Sequence, residues 1–198
     1  MKTIIFATAN EGKMKEIREI LKDLDIELLS LKDAGLNPDI EENGKTFEEN
    51  AIIKAKTVME LTGKIVLADD SGLEVDYMDK APGVYSARFM GENTSYDIKN
   101  QYIIDQLEKA EGKERSARFV CVIACAIPGG EIITHRATIE GYISRKICGI
   151  NGFGYDPIFY VPEYQCTTAE MPSELKNKIS HRGQALSVIR DVIVQKLS

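Results

Sequence analysis

Short β-branched runs alternate with stretches of helical spacing over the first hundred residues, and a long hairpin pattern follows them. Thr3 to Ala7 is apolar and β-branched, and with Met1 and Lys2 it reads as a first strand rather than a signal-peptide core. After the turn Thr8-Ala9-Asn10-Glu11-Gly12, the residues Met14, Ile17, Leu21 and Leu24 recur at helical spacing. Ile26 to Leu31 is a second strand candidate. Thr46-Phe47-Glu48-Glu49 fits a capping box, and Phe47, Ala51, Ala55, Val58 and Met59 mark the buried face of a helix that ends near Gly63. Ile65 to Ala68 is a buried strand, and Tyr96 to Leu107 a helix. Arg115 to Ile127 and Glu131 to Glu140 form two long strands turning at Pro128-Gly129-Gly130. Ile158 to Val161 is a further strand. Ser180 caps a last helix whose apolar face carries Leu186, Ile189, Ile193 and Leu197. This order predicts an α/β fold with a mixed sheet flanked by helices. No repeat, low-complexity tract or linker divides the chain, so residues 1–198 are expected to form a single domain.

Composition narrows the function classes. The formal charge is -6, and such a surface repels a polyanion at long range, which argues against nucleic-acid binding as the main task. A few local cations can still hold a small phosphate ligand. No apolar run approaches a membrane span. Cys121, Cys125, Cys148 and Cys166 form no CxxC pair, and two His are too few to suggest zinc; reduced, buried thiols of a cytoplasmic protein are expected.

Five segments carry residues that could do chemistry. Thr8-Ala9-Asn10-Glu11-Gly12-Lys13 stands before a helix, where unpaired N–H groups and the dipole favour phosphate; taken alone, an ordinary β–α turn with a capping Asn is the better account. Asp69-Asp70-Ser71-Gly72 closes a buried strand. Adjacent carboxylates on an extended chain point to opposite sides, so one could hold Mg²⁺ while the other satisfies donors; an acidic turn explains the same residues equally well. Glu41 and Glu42 precede the capped helix that carries Lys54, and each is weak evidence alone.

Gly152-Phe153-Gly154-Tyr155-Asp156-Pro157 combines close backbone approach with a stacking face, and Pro157 should hold Asp156 near an extended conformation. In Lys176-Asn177-Lys178-Ile179-Ser180-His181-Arg182-Gly183, basic residues open a helix against its dipole, a local conflict that points to function.

Together these segments resemble the inosine/xanthosine triphosphate pyrophosphatase family almost end to end. The resemblance rests on Thr8-Ala9-Asn10 with Lys13, Glu42 with Thr46 to Ala51 and Lys54, and Ala68 to Leu73. It extends through Ala81 to Arg88, Phe153 to Pro157, and Ser180 to Ala185. Ala9 departs from the family's usual Gly.

The resemblance implies a long mixed sheet, two lobes with an active-site cleft between them, a homodimer and Mg²⁺. It implies hydrolysis of deaminated purine triphosphates (ITP, dITP, XTP) to the monophosphate and pyrophosphate. Thr8, Ala9, Asn10, Glu11, Gly12, Lys13 and Lys54 would bind the triphosphate, and Glu42 and Asp70 the metal. Asp70 would also accept a proton from the attacking water, and Ser71 would help hold the substrate. Phe153, Gly154, Tyr155, Asp156, Lys176, His181 and Arg182 would form the nucleoside and base pocket. Three rivals stand beside this reading: a pyrophosphatase for pyrimidine or modified nucleotides, a nucleotide sensor without turnover, and an RNA-binding module.

Overall fold

In the computed structural model, which describes residues 2–197, seven strands hydrogen-bond in the order β2-β1-β3-β4-β5-β6-β7. Met1 and the side chain of Leu197, both included in the sequence expectations, lie outside the described residues. The strands are β1 (Lys2–Phe6), β2 (Ile26–Ser30), β3 (Ile65–Val75), β4 (Ser116–Ala126), β5 (Ile132–Ile143), β6 (Phe159–Val161) and β7 (Cys166–Thr167). β1 pairs parallel with both β2 and β3, and β6 pairs antiparallel with β5 and β7, so the sheet is mixed as expected. The helices are α1 (Glu11–Ile20), α2 (Phe47–Thr62), α3 (Tyr96–Gln106), α4 (Ser173–Ile179) and α5 (His181–Leu197).

The chain divides into two compact units. One comprises residues 1–70, 121–137 and 181–198, the other 71–120 and 138–180. The first has a core of Ile4, Phe6, Met14, Ile17, Leu67, Ile123, Leu186 and Ile189. These come from β1, α1, β3, β4 and α5, the elements whose apolar periodicity is visible in the sequence. The second packs Leu73, Ile103, Leu107, Phe119, Ile143, Phe159 and Met171. Among the described residues, no helix is long and apolar enough to cross a membrane.

Local chemistry sets the boundaries that matter. The Thr46 side chain accepts from Glu49 N at 3.1 Å, and the Glu49 carboxylate accepts from Thr46 N at 3.2 Å, so the expected capping box starts α2. Gly63, at φ 64, ends it in the left-handed conformation that glycine tolerates best. β3 departs from expectation: it does not close at Ala68 but runs through both aspartates to Val75. The acidic-turn account of Asp69 and Asp70 is thereby removed. Polar side chains from elsewhere in the first unit satisfy both carboxylates, so the strand carries them without turning. β7 and α4 were not anticipated; two and seven residues long, they are too short for a periodic pattern.

Candidate functional site

Asp69 and Asp70 project into different surroundings, as alternation along a strand requires. Both Asp69 oxygens lie 3.0 Å from Lys13 Nζ, and Arg182 Nη2 donates to Oδ2 at 3.1 Å. Arg182 Nη1 also donates to Glu16 on α1. Asp69 is 1% exposed. Burial opposes its charge, yet Lys13, Arg182 and Lys54 hold its carboxyl well below the usual range. The same pairing accounts for a cation at the start of α5, because Asp69 and Glu16 offset the unfavourable dipole end. Burial likewise opposes the charge of Arg182, and the two carboxylates more than compensate, raising its pKa.

Asp70 has weaker support. Lys54 Nζ donates to its Oδ1 at 3.3 Å and to Glu42 Oε2 at 3.0 Å, while Asn50 Nδ2 donates to Asp70 Oδ2 at 3.2 Å. Burial pushes the Asp70 pKa up; Lys54 and Lys13 pull it down, Glu42 and Asp69 push it further up, and the net shift is upward. A carboxylate held this way is poised to accept a proton. Lys54 is buried, and Asp70, Asp69 and Glu42 raise its pKa against the effect of burial.

The turn before α1 is built as its composition suggests. Thr8 Oγ1 accepts from Asn10 N at 3.1 Å, and Asn10 Oδ1 caps α1 by accepting from Lys13 N at 3.0 Å. Ala9, Asn10 and Glu11 are exposed, and Gly12 and Lys13 half-buried. Thus the first unit holds two sets of ion pairs, Lys13–Asp69–Arg182 and Glu42–Lys54–Asp70, on adjacent residues of β3. His181 is buried at the first residue of α5.

In the second unit, Asp156 is the hub. Its Oδ2 accepts from Phe153 N at 2.8 Å and from Lys176 Nζ, and its Oδ1 accepts from Thr168 Oγ1 at 2.8 Å. It opens a 3₁₀ turn, Asp156–Ile158, and is not extended as the following proline suggested; these three donors fix it instead. Gly152 must lack a side chain, since a Cβ would lie 2.1 Å from Asp156 Oδ2 and its φ is +72. Lys176 Nζ stands 5.0 Å from the Phe153 ring centroid, a cation–π distance. Asn100 Nδ2 donates to Gly154 O at 3.1 Å, and Tyr155 OH to Ser86 O at 2.7 Å, so α3 and the residues before it brace the loop. Ser71, next after Asp70 on β3, is half-buried.

Sequence reasoning missed Asn50, Glu16, Asn100 and Thr168. Asn50 was open to detection, because with Lys54 it occupies the buried stripe of Phe47, Ala51, Ala55 and Val58 on α2. Polar residues on an apolar stripe need partners, and those partners are Asp70 and Glu42.

A model of the Ham1 family matches residues 4–192, nearly the whole described chain. The chain belongs to the Ham1 family. Among curated relatives, a dITP/XTP pyrophosphatase of Bacillus licheniformis is 50% identical, over 98% of this chain and 100% of the relative. The dITP/XTP pyrophosphatase of Clostridium perfringens is 48% identical, over 96% and 97%. A solved HAM1 protein from Coxiella burnetii superposes with a TM-score of 0.88 at 44% identity, covering 98% of this chain and 100% of that one. The Staphylococcus aureus Ham1 protein gives 0.87 at 38%, with the same coverage. The architecture of this Ham1 chain is therefore the family's.

Proposed function

We propose that this Ham1 protein is a Mg²⁺-dependent pyrophosphohydrolase that converts dITP, ITP and XTP to the monophosphate and pyrophosphate. The observation that carries the reading is the split between the aspartates. Asp69 is locked in ion pairs with Lys13 and Arg182, while Asp70, its pKa raised, shares Lys54 with Glu42. A protein that only bound nucleotide would have no use for a buried carboxylate poised to take a proton.

The donor set suits Mg²⁺. Glu42 and Asp70 present hard oxygens that already converge on one cation, the Lys54 ammonium. Among the described residues no group of three or more His, Cys, Asp or Glu forms a metal cage. Mg²⁺ commonly binds through one or two carboxylates, with substrate phosphates and water completing its shell. When bound, Mg²⁺ would supply charge neutralisation at the phosphates.

The chain's own residues do the rest. The turn into α1, residues 8 to 13, with Lys54, binds the triphosphate. A triphosphate carries nearly four negative charges, so catalysis is chiefly positioning and neutralisation. Asp70 orients a water for attack on the α-phosphorus and accepts its proton; the α–β anhydride breaks and pyrophosphate leaves.

Ser71, Phe153 to Asp156 and Lys176 hold the nucleoside. Donors at His181 and Arg182, or neighbouring backbone N–H groups, pair with the six-position oxygen of the base. Adenine presents a donor there, and mispaired buried donors discriminate by about 10⁴ or more. We assign the protein to the cytoplasm, where the nucleotide pool lies, and to a homodimer, which light scattering tests directly. The decisive assay incubates the protein with dITP, XTP, GTP and ATP, with and without Mg²⁺, and identifies the products. Monophosphate and pyrophosphate from dITP and XTP, only with Mg²⁺ and with ATP spared, are expected; equal kcat/KM for dITP and ATP would reject the base-reading argument.

A further inference from the structure

Asn50 is wholly buried in the fourth position of α2, where an apolar residue would fill the stripe more cheaply. Its two polar atoms serve different partners. Oδ1 accepts from Gly44 N at 2.8 Å, and Nδ2 donates to Asp70 Oδ2 at 3.2 Å. Gly44 belongs to the segment that carries Glu42, and Asp70 lies on β3. One amide thus ties the Glu42 segment to the Asp70 strand, with Lys54, one helical turn further along α2, between the two carboxylates. The Gly44 position is shaped for this: a Cβ there would lie 2.6 Å from Asn50 Oδ1 and 2.7 Å from Glu49 Cβ.

We infer that Asn50 is the positioning residue of the hydrolytic carboxylate: it fixes the rotation of Asp70 through Oδ2, leaving Oδ1 toward Lys54, and sets the Glu42 segment in register with it. The amide orientation is determined by its neighbours. Reversed, it would set its oxygen against the Asp70 carboxylate and its NH₂ against the Gly44 N–H, losing both bonds. A helix places Asn50 and Lys54 on the same face, so both contacts with Asp70 come from one rigid element. Asn50 does not touch the substrate; it acts through Asp70. This inference rests on the pyrophosphohydrolase reading above.

Three single variants and the Gly44→Ala/Asn50→Ala double variant test it, with the wild type alongside. Asn50→Ala removes both contacts. Asn50→Asp keeps an acceptor for Gly44 N–H but removes the donor to Asp70. Gly44→Ala leaves Asp70 untouched and displaces Asn50. For each, kcat and KM for dITP, melting temperature, dITP affinity without Mg²⁺, and the crystallographic Asp70 conformation are measured.

A misplaced reacting group costs on the order of 10²-fold, and loss of a supporting partner about 10–100-fold. We expect kcat to fall about 10–100-fold in Asn50→Ala and Asn50→Asp, with KM and metal-free affinity within about 3-fold. In Asn50→Ala crystals the Asp70 carboxylate should be rotated away from its wild-type position. Gly44→Ala should lower kcat alone but add nothing in the Asn50→Ala background, the non-additivity expected of one shared route.

Near-wild-type kcat in Asn50→Asp would show that only the Gly44 contact matters and overturn the inference. So would an unmoved Asp70 in Asn50→Ala, or losses of kcat that merely follow KM and melting temperature. Absence of wild-type turnover would instead defeat the pyrophosphohydrolase reading, and the Asp70 conformation would still decide whether Asn50 positions it.

Discussion

Two adjacent carboxylates on β3, Asp69 and Asp70, are held in opposite ways. Around Asp69, two cations approach closely, Lys13 at 3.0 Å to both oxygens and Arg182 at 3.1 Å, and Glu16 completes the network from α1. Around Asp70 a single ammonium is shared with Glu42, and a neutral amide supplies the second contact. The first arrangement overcomes burial and keeps the carboxylate charged; the second does not fully do so, and the pKa rises. The lesson is that a strand can place a structural and a reactive acid side by side, because alternation sends them to environments built independently. Loss of a buried pairing partner at Asp69 should therefore cost folding, and loss of the charge at Asp70 should cost chemistry.

The largest effect is expected at Asp70. Asp70→Asn should lower kcat by about 10²–10⁴, the usual worth of a positioned general base, with dITP affinity little changed. Because its raised pKa means that the folded protein disfavours the ionised form, the same variant should raise the ligand-free melting temperature. Asp69→Asn should do the reverse. Removing one partner from a buried ion network costs about 3–5 kcal/mol, readable by urea unfolding.

Glu42→Gln should raise the Mg²⁺ concentration for half-maximal activity about 10-fold, measured by metal titration at saturating dITP. pH separates the aspartates further. The Asp69 pKa is depressed below the ordinary aspartate value of 3.8, so its contribution is present above that value and lost as pH falls through the folded pKa. The deficit of Asp69→Asn relative to wild type should therefore shrink as acid unfolding is followed below about pH 4. Asp70 has the opposite sign. Its ionisation costs stability as pH rises from 3.8 toward the folded pKa, so the advantage of Asp70→Asn should grow across that window. Smallest of all, Thr46→Ala should cost about 1 kcal/mol through the α2 cap and leave both aspartates unchanged.

Much of this was legible in the sequence, and the limits have physical causes. The capping box of α2 is a local motif, and it formed as written. The apolar periodicity of α1 and α5 found residues that fill the first unit's core, and that of α2 found its buried face. What a one-dimensional pattern cannot express is partner choice across long separations. Arg182 lies 113 residues from Asp69 and 166 from Glu16, so its place in that network has no local signature. Only the dipole conflict at the start of α5 marked the segment as functional, without naming its partners. The acidic-turn alternative for β3 rests on Asp and Gly being common where strands close; the bonds from Lys13, Arg182, Lys54 and Asn50 let the strand run on instead. Asp156 shows the same limit from the other side, since Pro157 restricts its backbone but Phe153 N, Thr168 and Lys176 decide where it sits.

Hydrolysis of dITP in ¹⁸O-labelled water with Mg²⁺ tests the chemistry assigned to Asp70 most directly. Attack by the Asp70-activated water on the α-phosphorus predicts one labelled oxygen in dIMP and unlabelled pyrophosphate, with the signal lost in Asp70→Asn. Label in pyrophosphate, release of orthophosphate as the first product, or full turnover by Asp70→Asn would contradict it.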